Sequence, residues 1–149
     1  MPYETHFVDA GKAVHKIGIG VVTSADILSS ALKRSRDEAR NSEHIIKYSL
    51  VDYSQTTDLQ VTIETMHQLV EINRRTAQYS PGCFIAVVAP DCMMFGMARI
   101  WASFTKEIGW EANVFRDRES ALVWLRTMLS NGNPDNCPFD EFPSLRPQG

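Results

Sequence analysis

Residues 83–89, CFIAVVA, form an unbroken apolar run of strand length and composition. Such a run fits a strand at the centre of a sheet. Pro90 and Asp91 follow and start a helix, with Asp91 as its N-cap. Met94, Met97, Ala98, Trp101, Phe104 and Ile108 then recur at helical spacing, and Gly109 closes the helix. Residues 112–115 read as a short strand. Asp117 caps a last helix that turns Ala121, Leu122, Leu125 and Met128 inward. Strand, helix, strand and helix thus follow one another with almost no linker.

The same alternation is present upstream. Residues 13–23, AVHKIGIGVVT, read as a long strand, with His15, Ile17, Ile19 and Val21 on one face and Lys16, Gly18 and Gly20 on the other. The two glycines lack the third of a phosphate-binding loop and lie inside a strand, so a bend or a close helix contact is expected. Thr23 or Ser24 caps a helix whose apolar stripe is Ile27, Leu28, Ala31 and Leu32. Its continuation from Lys33 to Arg40 reads as a solvated face, because Asp37 and Glu38 interrupt the cations. Residues 44–52 read as a strand, and the Ser- and Thr-rich residues after them as an irregular loop. Thr62 caps a helix over about 63–79, which Ser80, Pro81 and Gly82 stop. Residues 7–9 read as a short edge strand ahead of a turn at 10–12.

Three consecutive strand–helix units require parallel strands joined by right-handed crossovers. The fold class is therefore α/β: a single mixed, mostly parallel sheet with flanking helices. At 149 residues the chain fits one domain, here 1–130, followed by an irregular Pro-, Asn- and Asp-rich tail at 131–149. The net charge of -3 argues against nucleic acid as a partner. The three cysteines, Cys83, Cys92 and Cys137, give neither a disulfide framework nor a zinc spacing, and a reducing, cytoplasmic setting is expected. No secretory signal or membrane-length apolar run is present, so stable membrane insertion is not expected.

Several short stretches carry a family likeness. They are Gly20-Val21-Val22-Thr23, Leu50-Val51-Asp52-Tyr53-Ser54, Gly96-Met97-Ala98-Arg99-Ile100, Val114-Phe115-Arg116-Asp117, and Ala121-Leu122 with Trp124-Leu125. Together they resemble the SpoIIAA-like group of bacterial proteins, which is related to STAS (anti-sigma-factor-antagonist) domains and to CRAL-TRIO lipid carriers. The resemblance spans roughly 13–129. It implies a sheet of four or five strands with helices, a cytoplasmic location and usually no assigned activity. STAS switches carry Asp-Ser at the loop that enters the middle helix. Here Asp58 matches the acid and Leu59 replaces the serine, so the candidate switch loop reduces to Thr57, Asp58 and Thr62.

No catalytic set is recognisable. His6, His15, His44 and His67 are scattered without metal-ligand spacing, and no metal or cofactor is expected. Cys92 sits in the first turn of a helix, where the dipole favours a thiolate, but Asp91 beside it opposes this. Asp135, Asp140 and Glu141 fall in the tail. The remaining clue is surplus apolar surface on the helix after Asp91. Met93, Phe95, Met97, Ile100 and Phe104 form a candidate interaction or ligand surface beyond the core stripe. Two functions follow as expectations. One is a non-enzymatic STAS-like regulatory module that binds a protein partner or itself as a homodimer. The alternative is a small carrier or sensor of an apolar, lipid-like ligand.

Overall fold

The computed structural model of the chain describes residues 2–40 and 45–130. In chain order its elements are β1 (Tyr3–Val8), β2 (Ala13–Thr23), α1 (Ser24–Arg40), β3 (Tyr48–Gln60), α2 (Ile63–Ala77), β4 (Phe84–Val88), α3 (Cys92–Thr105), β5 (Glu111–Phe115) and α4 (Arg118–Ser130). One five-stranded sheet has the order β1-β2-β3-β4-β5. β1 is antiparallel to β2, and the other pairings are parallel. The mixed α/β sheet expected from the strand–helix units is thus present.

This sequential order has a consequence. Right-handed crossovers between successive neighbours place every connecting helix on the same side. α1, α2 and α3 accordingly share one face of the sheet, and α4 packs on the other. The alternation along β4 shows the two layers. Ile85 and Val87 join Val14, Met94, Ala102, Trp110 and Val114 on the three-helix face. Ala86 and Val88 join Tyr48, Leu50, Ala121 and Leu125 on the α4 face.

Local signals set most helix starts. The Thr23 amide and hydroxyl both donate to Asp26 Oδ2 at 2.9 Å, which orders the first turn of α1. Thr62 Oγ1 accepts from the Thr65 amide at 3.1 Å. Asp91 Oδ1 accepts from the Met93 amide at 2.7 Å, and Asp117 Oδ1 from the Ser120 amide at 2.8 Å. Gly109 closes the single 3-10 turn after α3 with a φ of 84°, a conformation that costs glycine little.

Four expectations need correction. The strand read at 44–52 begins at Tyr48, and His44 lies outside the described residues. The first strand is longer than 7–9 and starts at Tyr3, while Asp9 belongs to the turn. The irregular loop after residue 52 is instead strand: β3 runs on to Gln60. It does so because β2 is long enough to partner it throughout, with register shifts between Ile17 and Ile19 and between Gly20 and Val21. Thr56 Oγ1 also donates to the Gly18 carbonyl at 2.9 Å. Finally, the run from Lys33 to Arg40 is not uniformly solvated. Arg34 is half-buried, and Glu38 is only 2% exposed.

β4 pairs with β3 only over Tyr48–Asp52. Beyond that point, residues 53–60 of β3 have β2 on one side and no described strand on the other. Together with the end of β2 they form a two-stranded arm that rises past the rest of the sheet. The arm is fastened to the helices at its tip. Ser24 Oγ donates to the Gln60 carbonyl at 3.1 Å and accepts from Thr65 Oγ1 at 2.9 Å.

Gly18 marks the base of this arm. A Cβ there would lie 2.7 Å from Thr56 Oγ1 and 2.8 Å from Tyr53 Cδ1. The close approach foreseen for this glycine is therefore made by β3, not by a helix. We expect Gly18→Ala to lower stability by about 1–3 kcal/mol through overpacking, read as a lower midpoint in urea with an unchanged slope.

Candidate functional site

Between the sheet and its three helices lies a chamber of about 130 Å³. Its walls are mostly apolar: Val14, Val51, Leu59, Met66, Val87 and Met97 come from five different elements. Its polar groups gather on the side of β1, β2 and α1. They include Tyr3, Lys16, Ser30 and Arg34, joined by Ser49 and Tyr53 from β3, while Asn73 adds a polar group from α2. Val14, Lys16, Ser30 and Arg34 also line a wider groove of about 630 Å³ along β1 and α1. These four residues therefore form the boundary between groove and chamber.

The strand periodicity brings them there. On β2, Val14 and Lys16 alternate with Ala13, His15 and Ile17, so Lys16 faces α1. On α1, Ser30 and Arg34 are one turn apart and so share a face. Lys16 Nζ donates to Ser30 Oγ at 2.6 Å and lies 6.0 Å from the centre of the Tyr3 ring. The Tyr3 and Tyr53 hydroxyls are hydrogen-bonded to each other at 2.8 Å. Burial, followed by the repulsion of Arg34 and Lys33, pushes the Lys16 ammonium down to about 8, partly offset by Glu38. Burial pushes both tyrosine hydroxyls up, so they stay protonated.

Arg34 is held differently. Its Nε donates to Glu38 Oε2 at 3.1 Å, and its guanidinium lies 4.9 Å from the Trp110 ring centre. Glu38 Oε1 accepts from the Ile46 amide at 2.8 Å, and the Trp110 indole donates to the Ser80 carbonyl at 2.9 Å. Arg34 and Glu38 thus compensate one another. Among the described residues, no carboxylate forms an ion pair with Lys16.

The residues singled out from the sequence fall in several places. Met93 is 79% exposed, whereas Phe95, Met97, Ile100 and Phe104 are half-buried. Phe95 is covered by the Arg116 guanidinium at 4.5 Å, and Phe104 stacks on His67 at 4.8 Å between ring centres. Met97 turns into the chamber. Of the five, Met93 is thus the most exposed, and Met97 also lines the chamber. Thr57 and Asp58 are exposed on the β3 arm, and Asp58 Oδ2 accepts from Gln60 Nε2 at 2.9 Å. Leu59 points into the chamber, which gives an apolar side chain a role at that position. Thr62 is the cap of α2. The Cys92 thiol accepts from Arg116 Nη1 at 3.3 Å. Cys137, Asp135, Asp140 and Glu141 lie outside the described residues.

The polar wall of the chamber was missed in the sequence. A lysine on the same strand face as Gly18 and Gly20 was the available signal, because small neighbours leave room around a long side chain. Tyr3 and Tyr53 gave no local sign of their pairing, being fifty residues apart.

On the opposite face, Asp52 is fully buried: its Oδ2 forms an ion pair with Arg118 Nε at 2.8 Å, and its Oδ1 accepts from the Ser54 amide at 2.8 Å. This pair ties the start of α4 to the base of the arm. His15 is also buried here, with its ring centre 6.1 Å from that of His6. Among the described residues, no group of three or more His, Cys, Asp and Glu side chains is placed to hold a metal ion. No helix among them is long and apolar enough to cross a membrane.

These features define a class by fold: a SpoIIAA-like α/β domain. The anti-sigma factor antagonist SpoIIAA, in its unphosphorylated form, superposes with a TM-score of 0.51 at 12% identity, covering 83% of this chain and 97% of that one. A protein of the DUF3478 family from Shewanella loihica PV-4, described as uncharacterized and as having a SpoIIAA-like fold, gives a TM-score of 0.49 at 14% identity, with coverage of 83% and 91%. No protein-family model matches the chain, and no curated protein matches it. At such identities the likeness is one of fold.

Two stability measurements test this description. Glu38→Gln leaves the Arg34 guanidinium buried without its charge partner, and we expect a loss of about 3–5 kcal/mol in urea unfolding. His15 is pushed down from 6.5 to about 4, first by burial, with Asp52 opposing and His6 and Arg118 adding to the fall. The unfolded chain then binds more protons than the folded one between these values. The contribution of His15 is fully present above pH 6.5 and is lost as the pH falls through about 4. Unfolding free energies at pH 7 and pH 4.5 should show this decline, with a shallower slope for His15→Leu.

Proposed function

We propose that this chain is a non-enzymatic STAS-like regulatory module that works by binding a protein partner or a second copy of itself. The observation that carries the reading is the bare edge of β3 over residues 53–60. Strand edges offer unpaired amides and carbonyls, and proteins cover them or use them for docking. Thr57 and Asp58 lie on this arm and Thr62 at its end, so the candidate switch residues border the docking edge. Met93, at the start of the helix that follows β4, supplies an exposed apolar contact. The fold shared with an anti-sigma factor antagonist supports the same reading. A cytoplasmic location and a bacterial source accord with it.

A second reading, a carrier or sensor of a small apolar molecule, is favoured by the chamber and its largely apolar walls.

The first reading is tested with a side chain that contributes little to the core. Met93→Asp should leave the melting temperature within about 2 °C of the parent, as expected for a surface substitution. It should also abolish self-association in light scattering, or the recovery of a specific partner in affinity capture. A parent chain that stays monomeric up to millimolar concentration and recovers no partner would remove the basis for this reading.

A further inference from the structure

We infer that the chamber is a binding site for a small amphipathic anion, a monocarboxylate with a short chain or a single ring, whose apolar body enters the chamber while its acid group meets Lys16 and the Tyr3–Tyr53 hydroxyl pair. The inference rests on the carrier or sensor reading and specifies its ligand.

Three observations carry it. The first is size. A chamber of about 130 Å³ is close to the engineered cavity of about 150 Å³ that accepts benzene. That volume suits one ring or a short alkyl chain and excludes most of a long-chain lipid. The second is charge. Lys16 is half-buried at the boundary, and its described partner is the Ser30 hydroxyl, a neutral group. The nearby carboxylate of Glu38 is taken by Arg34 and the Ile46 amide. A buried ammonium without a counter-ion is costly, and a ligand carboxylate removes that cost. The third is donor count. In the Tyr3–Tyr53 pair one hydroxyl donates to the other, which leaves one hydroxyl hydrogen for an outside acceptor. An ammonium and a phenol hydroxyl at the polar end of an apolar chamber match a carboxylate joined to a hydrocarbon body.

The route in is the groove along β1 and α1, because it shares Lys16 and Arg34 with the chamber. Lys33, Asp37 and Arg40 line that groove, so an incoming anion meets cations of α1 before it reaches Lys16. The groups acting on the ammonium are Tyr3 from β1, Tyr53 from β3, and Lys33, Arg34 and Glu38 from α1. The Lys16 ammonium itself loses its proton as the pH rises through about 8. Binding of the anion is therefore strongest below that pH and weakens above it by about tenfold per unit.

Trp101 and Trp110 both line the chamber and report on its filling. The experiment titrates the full chain with hexanoate and benzoate, and with hexanol and benzyl alcohol as neutral controls, by tryptophan fluorescence and calorimetry. The expected result is that each acid binds at least about tenfold more tightly than its alcohol at pH 7, a difference that charge-assisted hydrogen bonds readily supply. The preference should vanish in Lys16→Met and should decline above pH 8 in the parent chain. The pH series needs no variant and so stands even where Lys16→Met fails to fold. Acids and alcohols of equal affinity at every pH would overturn the anionic ligand and leave the carrier reading in place. Binding of none of the four would overturn both. Palmitate giving the same fluorescence change at higher affinity than hexanoate would overturn the size limit.

Discussion

The packing of this domain depends on one buried ion pair at the end of α1. Arg34 and Glu38 sit one turn apart and would be a weak surface pair on an isolated helix, worth a few tenths of a kcal/mol. Here they are taken out of water, and the cost of that is met by placing each group against several partners. Glu38 holds the Ile46 amide just before β3. Arg34 lies on Trp110, whose indole is fixed by the Ser80 carbonyl after α2. The pair thus joins α1, the start of β3, the turn before β4 and the residue before β5. Replacing such a pair wholesale with apolar residues can be neutral, but removing one half is not. Its value lies in fixing where α1 ends relative to the sheet.

That placement leaves the space between sheet and helices incompletely filled. Three helices share one face because the strands follow one another in sequential order. α3 is joined to α2 by the Trp101 indole, which donates to Asn73 Oδ1 at 3.0 Å, and α1 to α2 by the Thr65–Ser24 bond. Asn73 and Trp101 both line the chamber, so their bond forms part of its wall. Interiors ordinarily pack without voids of this size. A cavity with a lysine and two tyrosines on one wall differs from a packing flaw in the residues that line it.

Much of the fold was legible because its signals are local. The caps at Thr23, Thr62, Asp91 and Asp117 act within three residues of themselves, and the apolar run at 83–89 has only one use in a sheet. The arm was not legible. Ser54, Thr56, Thr57 and Asp58 favour turns on their own, and only the distant β2 makes them a strand. Glu38 shows the same limit: nothing between Lys33 and Arg40 distinguishes an inward pair from an outward one, since Trp110 and Ile46 decide it. The site is the least legible part. The apolar residues of α3 drew notice because their surplus is visible by counting, but their neighbours, an arginine at Phe95, a histidine at Phe104 and the chamber at Met97, come from distant parts of the chain. Lys16 looked like the polar half of an alternating strand, and its burial is set by Tyr3 and α1.

The arm and the chamber share residues, so the two functional readings are physically linked. Tyr53 and Leu59 belong to the arm and also form part of the chamber wall. A molecule that fills the chamber contacts the inner side of the strand whose outer edge is bare. If it orders that strand, docking along the edge costs less conformational entropy, and a docked partner strengthens ligand binding by the same factor. Gly18 lies at the junction of arm and chamber, where Tyr53 and Thr56 close over it without room for a methyl group. Under the proposed reading, a module built this way would need no catalytic residue, because its signal would be the difference in arm rigidity between an empty and a filled chamber.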